Sequence, residues 1–292
     1  FTRLLTTAEF GDFNVFLAWE GIISVFTTLS LSSGSINNAM LEFSDNREEY
    51  ISASQGLISV ISIIFLIIHL IFRKIIPIFP FESQLVALML LSILVKQSFG
   101  IWSGKQRYDY KYKYVVFFTI LYSFLTSFVS LVVVYFSTDR GTARIFSYVL
   151  TEILFCSFFY VYNIWKGKFT FYKKEYWQFA LSINIPLIPH YLSQTLLNQA
   201  DRIMINSICG DSKAGIYSFA YSIAFALTII NMSINYSFMP WTYKKMKTNN
   251  YEDIKKISTY LVLLVAFIDS LFIICAPEVI KFLAPESYWE AI

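Results

Sequence analysis

The chain has 292 residues, of which 56% are hydrophobic and 15% are charged, and it contains 29 Phe and 20 Tyr. Soluble domains carry about 25% charged residues, and a soluble fold of this size could not bury so much apolar surface. The net charge of +3 and the lack of a dense basic patch exclude a typical nucleic-acid-binding protein. The composition instead indicates a protein whose solvent is the lipid bilayer.

Eight apolar runs are long enough to cross a bilayer, because about 20 residues at 1.5 Å each span about 30 Å of hydrocarbon. Each run must satisfy its own backbone hydrogen bonds, which predicts α-helices. The runs are approximately Phe13–Ser33, Gln55–Phe72, Ser83–Trp102, Tyr114–Phe136, Ile145–Ile164, Trp177–Leu197, Ile216–Met239 and Ile257–Cys275. The predicted fold class is an all-α integral membrane protein with eight transmembrane helices.

The distribution of Lys and Arg predicts the orientation. The loops after the first, third, fifth and seventh runs hold fourteen of these residues, and the opposite loops hold eight. The first set therefore faces the cytoplasm by the positive-inside rule, as does the long polar stretch at 34–54. Phe1 is then outside, and we expect this chain to be a fragment that lacks a helix before Phe1 and further segments after Ile292.

Lone charged residues interrupt several apolar runs. Glu20 in the first run is a candidate proton or cation carrier, or else a protonated acid that only donates a hydrogen bond. Glu152 in the fifth run and Asp269 in the eighth allow the same two interpretations. Lys96 lies near the cytoplasmic end of the third run, where we expect its ammonium to snorkel to the interface.

A Lys-rich connection, "WKGKFTFYKKEYW", separates five helices from the following three. It predicts an N-terminal lobe at 1–165, a cytoplasmic linker at 166–176 and the start of a C-terminal lobe at 177–292. No loop is long enough to hold a soluble catalytic domain.

The sixth run carries a polar face and two helix-breaking residues. Four polar residues recur at helical spacing on that face: His190, Gln194, Asn198 and Asp201. Pro186 and Pro189 are expected to break the helix, as in many transporters. Asp201 and Arg202 at its outer end could form a local ion pair, gate a cavity or contact an anionic substrate. His190 either titrates near neutral pH or makes a helix contact.

Two further helices show the same kind of face. The polar residues of the seventh run that share one side are Tyr217, Tyr221, Thr228, Asn231 and Asn235. Those of the first run are Glu20, Ser24, Thr27 and Thr28. Three polar faces on apolar helices predict a water-filled cavity, and the alternative is hydrogen bonding between helices in a dry interface.

Signatures of enzymes are absent from the sequence. There is no HExxH, no Gly-rich phosphate loop, no CxxC pair and no G-x-S-x-G. With two His and scattered acids, we expect no metal site, no catalytic residues and no cofactor.

The stretch "FALSINIPLIPHYLSQTLLNQADRIMINSICGDSKAGIYSFAYSIAFAL" resembles the mid-chain signature of Wzx-type polysaccharide flippases, of the multidrug/oligosaccharidyl-lipid/polysaccharide exporter superfamily. "TRLLTTAEFGDFNVF", "GKQRYDYKYKYVVFF" and "FLAPESYWEAI" are similar to other loops of that family. The eight runs would then correspond to family helices two to nine.

The resemblance implies alternating access in a bacterial inner (plasma) membrane. Two lobes forming a V-shaped cavity would pass an oligosaccharide linked to an undecaprenyl-pyrophosphate-type carrier, for O-antigen and lipopolysaccharide, capsule or exopolysaccharide synthesis. The implied partners are this lipid-linked oligosaccharide, membrane lipids, a polysaccharide polymerase and a chain-length regulator. Cation or proton antiport would drive the cycle, with Glu20 and Asp269 as candidate ion carriers.

The implied cavity residues come from the three polar faces and from Arg202; they are Glu20, His190, Gln194, Asn198, Asp201, Arg202, Tyr217, Tyr221, Asn231 and Asn235. Family members often hold the pyrophosphate with Arg or Lys, yet the three runs themselves contain neither, and only Arg202 follows the sixth. The alternatives are efflux of small molecules by the same superfamily, and a membrane polysaccharide polymerase, which the short outer loops disfavour.

Overall fold

The computed structural model describes residues 1–72, 80–247 and 250–291, apart from the side chains at 233, 235–237, 239–240, 243–244 and 247. Within these ranges the regular structure is helical, and no strand is present. The α-helices are α1 (Thr7–Thr28), α2 (Ile36–Glu42), α3 (Arg47–Phe72), α4 (Ser83–Tyr108), α5 (Tyr112–Phe136), α6 (Arg140–Lys166), α7 (Lys174–Cys209), α8 (Asp211–Lys247) and α9 (Tyr251–Leu283). A short 3₁₀ segment follows at Glu286–Ala291.

Seven of the eight apolar runs lie within one long helix each, and the first begins in α1 but extends past its end. Among the described residues, six helices are long and apolar enough to cross a membrane: α3, α4, α5, α6, the Asp211–Met232 part of α8, and α9. The all-helical, multi-pass character of the protein is thereby confirmed. The count of eight transmembrane helices and the V-shaped cavity stay predictions, because α1 and α7 are not among the six.

The loop after the first run differs from the prediction. The run was predicted to reach Ser33, but α1 ends at Thr28 because Leu29 and Ser30 adopt φ values of 50° and 49°. This left-handed backbone cannot continue a right-handed helix. The polar stretch at 34–54 then folds into α2 and the start of α3 and buries Met40 and Tyr50. Apolar residues at helical spacing anchor this loop on the helix bundle.

The expected break in the sixth run is wrong. Helix α7 continues through Pro186 and Pro189 for 36 residues. A proline removes one backbone donor and frees the carbonyl four residues earlier, and a membrane helix tolerates this loss where its neighbourhood satisfies that carbonyl. The helix ends instead before Gly210, whose φ of 87° suits glycine at a helix C-terminus.

The larger of two compact units comprises Phe13–Met204. One apolar cluster joins α1, α4 and α6, and a second joins α2, α3 and α7. In the second, the Phe43 ring lies 4.7 Å from that of Tyr176, and the Trp177 indole donates to the Ala53 carbonyl at 2.8 Å. The predicted linker at 166–176 lies within this unit, and the proposed division into lobes stays a prediction.

The smaller unit comprises Phe1–Asp12 and Ile205–Ile292. In it the first turns of α1 and α8 cross at two glycines. A Cβ at Gly11 would lie 2.0 Å from the Asp211 carbonyl oxygen, and one at Gly215 would lie 1.9 Å from that of Thr7. Only hydrogen at these positions permits the two backbones to approach so closely.

Candidate functional site

A cluster of charged side chains lies inside the larger unit, where α1, α4 and α6 pack together. The Lys96 ammonium is 2.8 Å from the Glu20 carboxylate and 2.9 Å from that of Glu152. It also donates to the Tyr148 hydroxyl at 3.0 Å, and the Tyr122 hydroxyl donates to Glu152 at 2.7 Å. Four helices thus contribute to one polar network, since Tyr122 belongs to α5.

The carboxylates of this network are buried, whereas the lysine is partly accessible. The side chains of Glu20 and Glu152 expose 4% and 0% of their surface, and that of Lys96 exposes 36%. The snorkelling interpretation of Lys96 is wrong for this structure, because its ammonium binds both acids. A buried charge is stable only where it is paired and hydrogen-bonded, and these distances meet that requirement for the lysine.

The sequence analysis found Glu20 but missed Lys96, Tyr122 and Tyr148 as members of the network. A usable signal was present: Glu20, Lys96 and Glu152 are lone charges of opposite sign in separate apolar runs. Opposite charges inside a membrane commonly pair with each other. The tyrosines gave no comparable signal, because the chain has 20 of them.

The polar face of α7 remains largely exposed. His190, Gln194 and Asn198 are all exposed, and the Asn198 amide donates to the Gln194 carbonyl at 2.9 Å. Exposure of these side chains to water is favourable, whereas their exposure to lipid would cost free energy. Its assignment to a translocation cavity stays a prediction.

Asp201 and Arg202 both make hydrogen bonds within α7. The Asp201 carboxylate accepts a hydrogen bond from the Arg202 backbone N–H at 2.9 Å. The Arg202 guanidinium instead donates to Gln199 at 2.6 Å, and the arginine is only 9% exposed. The gate and the contact with an anionic substrate that we predict for this position stay predictions.

The smaller unit contains a cavity of about 530 Å³ between α8 and α9. Asn231 of α8 and Asp269 of α9 line it, together with Ser258 and apolar side chains. The structure therefore brings together one predicted cavity residue and one predicted ion carrier. The combination of a carboxylate and an amide in an apolar pocket suits a cation or a polar ligand.

The remaining predicted residues of α8 lie on its first half or outside the described part. Tyr217 and Tyr221 are half-buried, with ring centroids 6.1 Å apart. The side chain of Asn235 lies outside the described residues. The grouping of these residues with the α7 face stays a prediction.

Comparison with known proteins relates this chain to one family and to two bacterial proteins. The profile of a family described as polysaccharide biosynthesis protein matches residues 1–246. A protein of the Lsg locus of Haemophilus influenzae is 27% identical over 119 residues, which are 39% of this chain and 29% of that protein. An uncharacterized membrane protein of the same species is 24% identical over 159 residues, which are 53% of this chain and 37% of that protein.

The chain thus spans less than two fifths of the length of the curated relatives it matches. No solved structure matches it. The family profile covers most of the chain, from Phe1 into the last part of α8. Together with the apolar helices, this match shows that the chain belongs to the polysaccharide biosynthesis protein family.

Proposed function

We propose that the protein flips isoprenoid-pyrophosphate-linked oligosaccharide repeat units across the bacterial inner membrane by alternating access. The observation that carries this proposal is the exposed polar face of α7, formed by His190, Gln194 and Asn198, in a membrane protein of this family. An apolar chain gains nothing from exposing amides to lipid, so this face is best explained by a polar substrate path.

Amides and tyrosines suit the sugar part of such a substrate. Asn and Gln both donate and accept hydrogen bonds, which matches hydroxyl groups. Tyrosine rings, such as those of Tyr217 and Tyr221, offer apolar faces with a polar tip. Arg202 is bound to Gln199 and buried, so the proposal assigns recognition mainly to neutral groups.

Under this proposal, ion movement through Glu20 or Asp269 drives the cycle. Both acids lie within apolar helices, and each has a polar neighbourhood that could change with the conformation. The products would serve O-antigen, capsule or exopolysaccharide synthesis, with a polymerase and a chain-length regulator as the next partners.

Reconstitution tests the proposal. Proteoliposomes containing the full-length protein and an undecaprenyl-pyrophosphate oligosaccharide should expose the sugar to an outside glycosidase. Gln194→Leu and Asn198→Leu should slow this exposure several-fold. The matched control is Ser193→Leu, because residue 193 is rotated by about 100° around the helix from Gln194. Equal rates for all variants and the unchanged protein would refute the role of this face.

Efflux of small molecules is the second candidate. The cavity of about 530 Å³ between α8 and α9 falls within the usual range of pockets for drug-sized ligands, about 300–1,000 Å³. A strain lacking the gene should then gain drug sensitivity and keep its surface polysaccharide. Loss of the polysaccharide without drug sensitivity would support the flippase.

A further inference from the structure

The network around Lys96 contains one more acid than base. The Lys96 ammonium lies 2.8 Å from the Glu20 carboxylate and 2.9 Å from that of Glu152, beside the apolar cluster of α1, α4 and α6. With both acids ionised, the three side chains carry a net charge of −1. An isolated buried charge costs several kcal/mol even after relaxation of the surroundings, so the surroundings favour a neutral state.

The hydrogen bonds show the same deficit. Oε2 of Glu152 is buried without a hydrogen-bond partner among the described residues. The Tyr148 hydroxyl has one hydrogen, yet it lies 3.2 Å from Glu152 and 3.5 Å from Glu20. Lys96 already donates to Glu20 and to Tyr148, and it forms an ion pair with Glu152. The site therefore lacks a donor, and a proton on one carboxyl group would supply it.

Among the described residues, Lys96 is the one cation in contact with the two carboxylates. The other titratable groups that act on the cluster are Tyr122 of α5 and Tyr148 and Cys156 of α6, and all three are neutral when protonated. Arg144 of α6 adjoins Tyr148, and its guanidinium lies over the Phe13 ring at 4.1 Å. The acids contact the ammonium of Lys96, and the arginine is directed towards an aromatic ring.

A metal ion does not suit this site. The Lys96 ammonium already occupies the position between the two carboxylates, at 2.8 and 2.9 Å. A metal cation there would have to displace it or lie against a like charge. Within the described part of the chain, no group of three or more His, Cys, Asp or Glu side chains could hold a metal ion.

We propose that Glu20, Lys96 and Glu152 form a proton-binding site, in which one proton is shared by the two carboxyl groups and metal cations are excluded. The partly exposed Lys96 side chain marks the side from which the proton enters. Binding forms one O–H bond on a carboxylate oxygen and cancels the excess charge, and release restores it. This inference deepens the proposed transport function by naming its coupling ion.

Infrared difference spectroscopy of the purified full-length protein tests the site independently of any substrate. A step in pH should change the intensity of a carboxylic-acid C=O band by the amount expected for about one carboxyl group per chain. In an Asp12→Asn background, which removes a carboxyl group whose raised pKa of about 6 would add a band of its own, Glu20→Gln and Glu152→Gln should each abolish the change, because the remaining acid and Lys96 then balance without a proton. Asp139→Asn is the matched control, since asparagine also caps a helix, and it should keep the change.

Sodium chloride supplies a test that needs no variant. At constant pH and ionic strength, replacing choline with Na⁺ should leave the band unchanged. Persistence of the band in both glutamine variants would overturn the proposal, and so would its loss on addition of Na⁺. If the band behaves as expected but the proteoliposomes expose no sugar, the proton site stands and the flippase function fails.

Discussion

Replacement of Lys96 by methionine is expected to cost much more stability than the loss of an ordinary ion pair. The variant keeps the apolar stem but leaves two acids, exposed by 4% and 0%, without their cation. Removing one partner of a buried pair costs about 3–5 kcal/mol. Because Lys96 itself is 36% exposed, we expect about 3 kcal/mol, at the lower end of that range.

The control is Lys168→Met. Lys168 lies 3.0 Å from Glu49, a distance close to those in the buried cluster, but its side chain is 79% exposed. Surface pairs of this kind contribute at most about 1 kcal/mol. Thermal unfolding of the purified protein in detergent, followed by tryptophan fluorescence, should show a large fall in Tm for Lys96→Met and little change for Lys168→Met.

A compensating variant isolates the charge effect. Adding Glu20→Gln and Glu152→Gln to Lys96→Met removes all three charges and should recover most of the lost stability, since a neutral cluster needs no cation. If the triple variant is no more stable than Lys96→Met, the lysine acts through packing, and the electrostatic reasoning is refuted.

Three further predictions concern other parts of the fold. Gly11→Ala should destabilise the protein by about 1–3 kcal/mol through backbone displacement, whereas Gly21→Ala on the same helix should be tolerated, because its Cβ would have no neighbour closer than 3.7 Å; equal Tm values would contradict this. Burial beside Asp211 raises the pKa of Asp12 to about 6. The folded state then binds this proton more tightly than the unfolded state, so Asp12 favours folding at low pH and this contribution is lost as the pH rises through about 6. Asp12→Asn should flatten the dependence of Tm on pH in that window, and an unchanged slope would count against it. Asp269→Asn should slow sugar exposure in proteoliposomes at equal protein level while leaving the infrared band of the Lys96 cluster unchanged; a normal rate would remove Asp269 from the list of ion carriers.

The positions of the long helices followed from local features of the sequence. A run of about 20 apolar residues specifies a helix wherever it lies in a membrane, because the backbone has no other hydrogen-bond partner there. The errors arose where side chains from elsewhere intervene. The folding of residues 36–42 onto the bundle depends on apolar neighbours from other helices, which the hydropathy of the stretch itself does not indicate.

The sequence likewise predicted the polar faces of single helices, since residues at spacings of three and four share one side. It did not predict which parts of the protein those faces contact. The spacing placed Gln194 and Asn198 on one side of α7, and the structure added that this side is exposed.

The sequence by itself determined that this is a helical membrane protein with lone charges inside apolar segments. Only the tertiary structure decided that Glu20, Lys96 and Glu152 bind one another, because they lie on α1, α4 and α6 and are separated by 76 and 56 residues. Helix packing sets which faces meet, and that depends on the shapes of all the side chains in the interface. A single charged residue in a sequence specifies only that some partner is needed, and the fold determines which residue provides it.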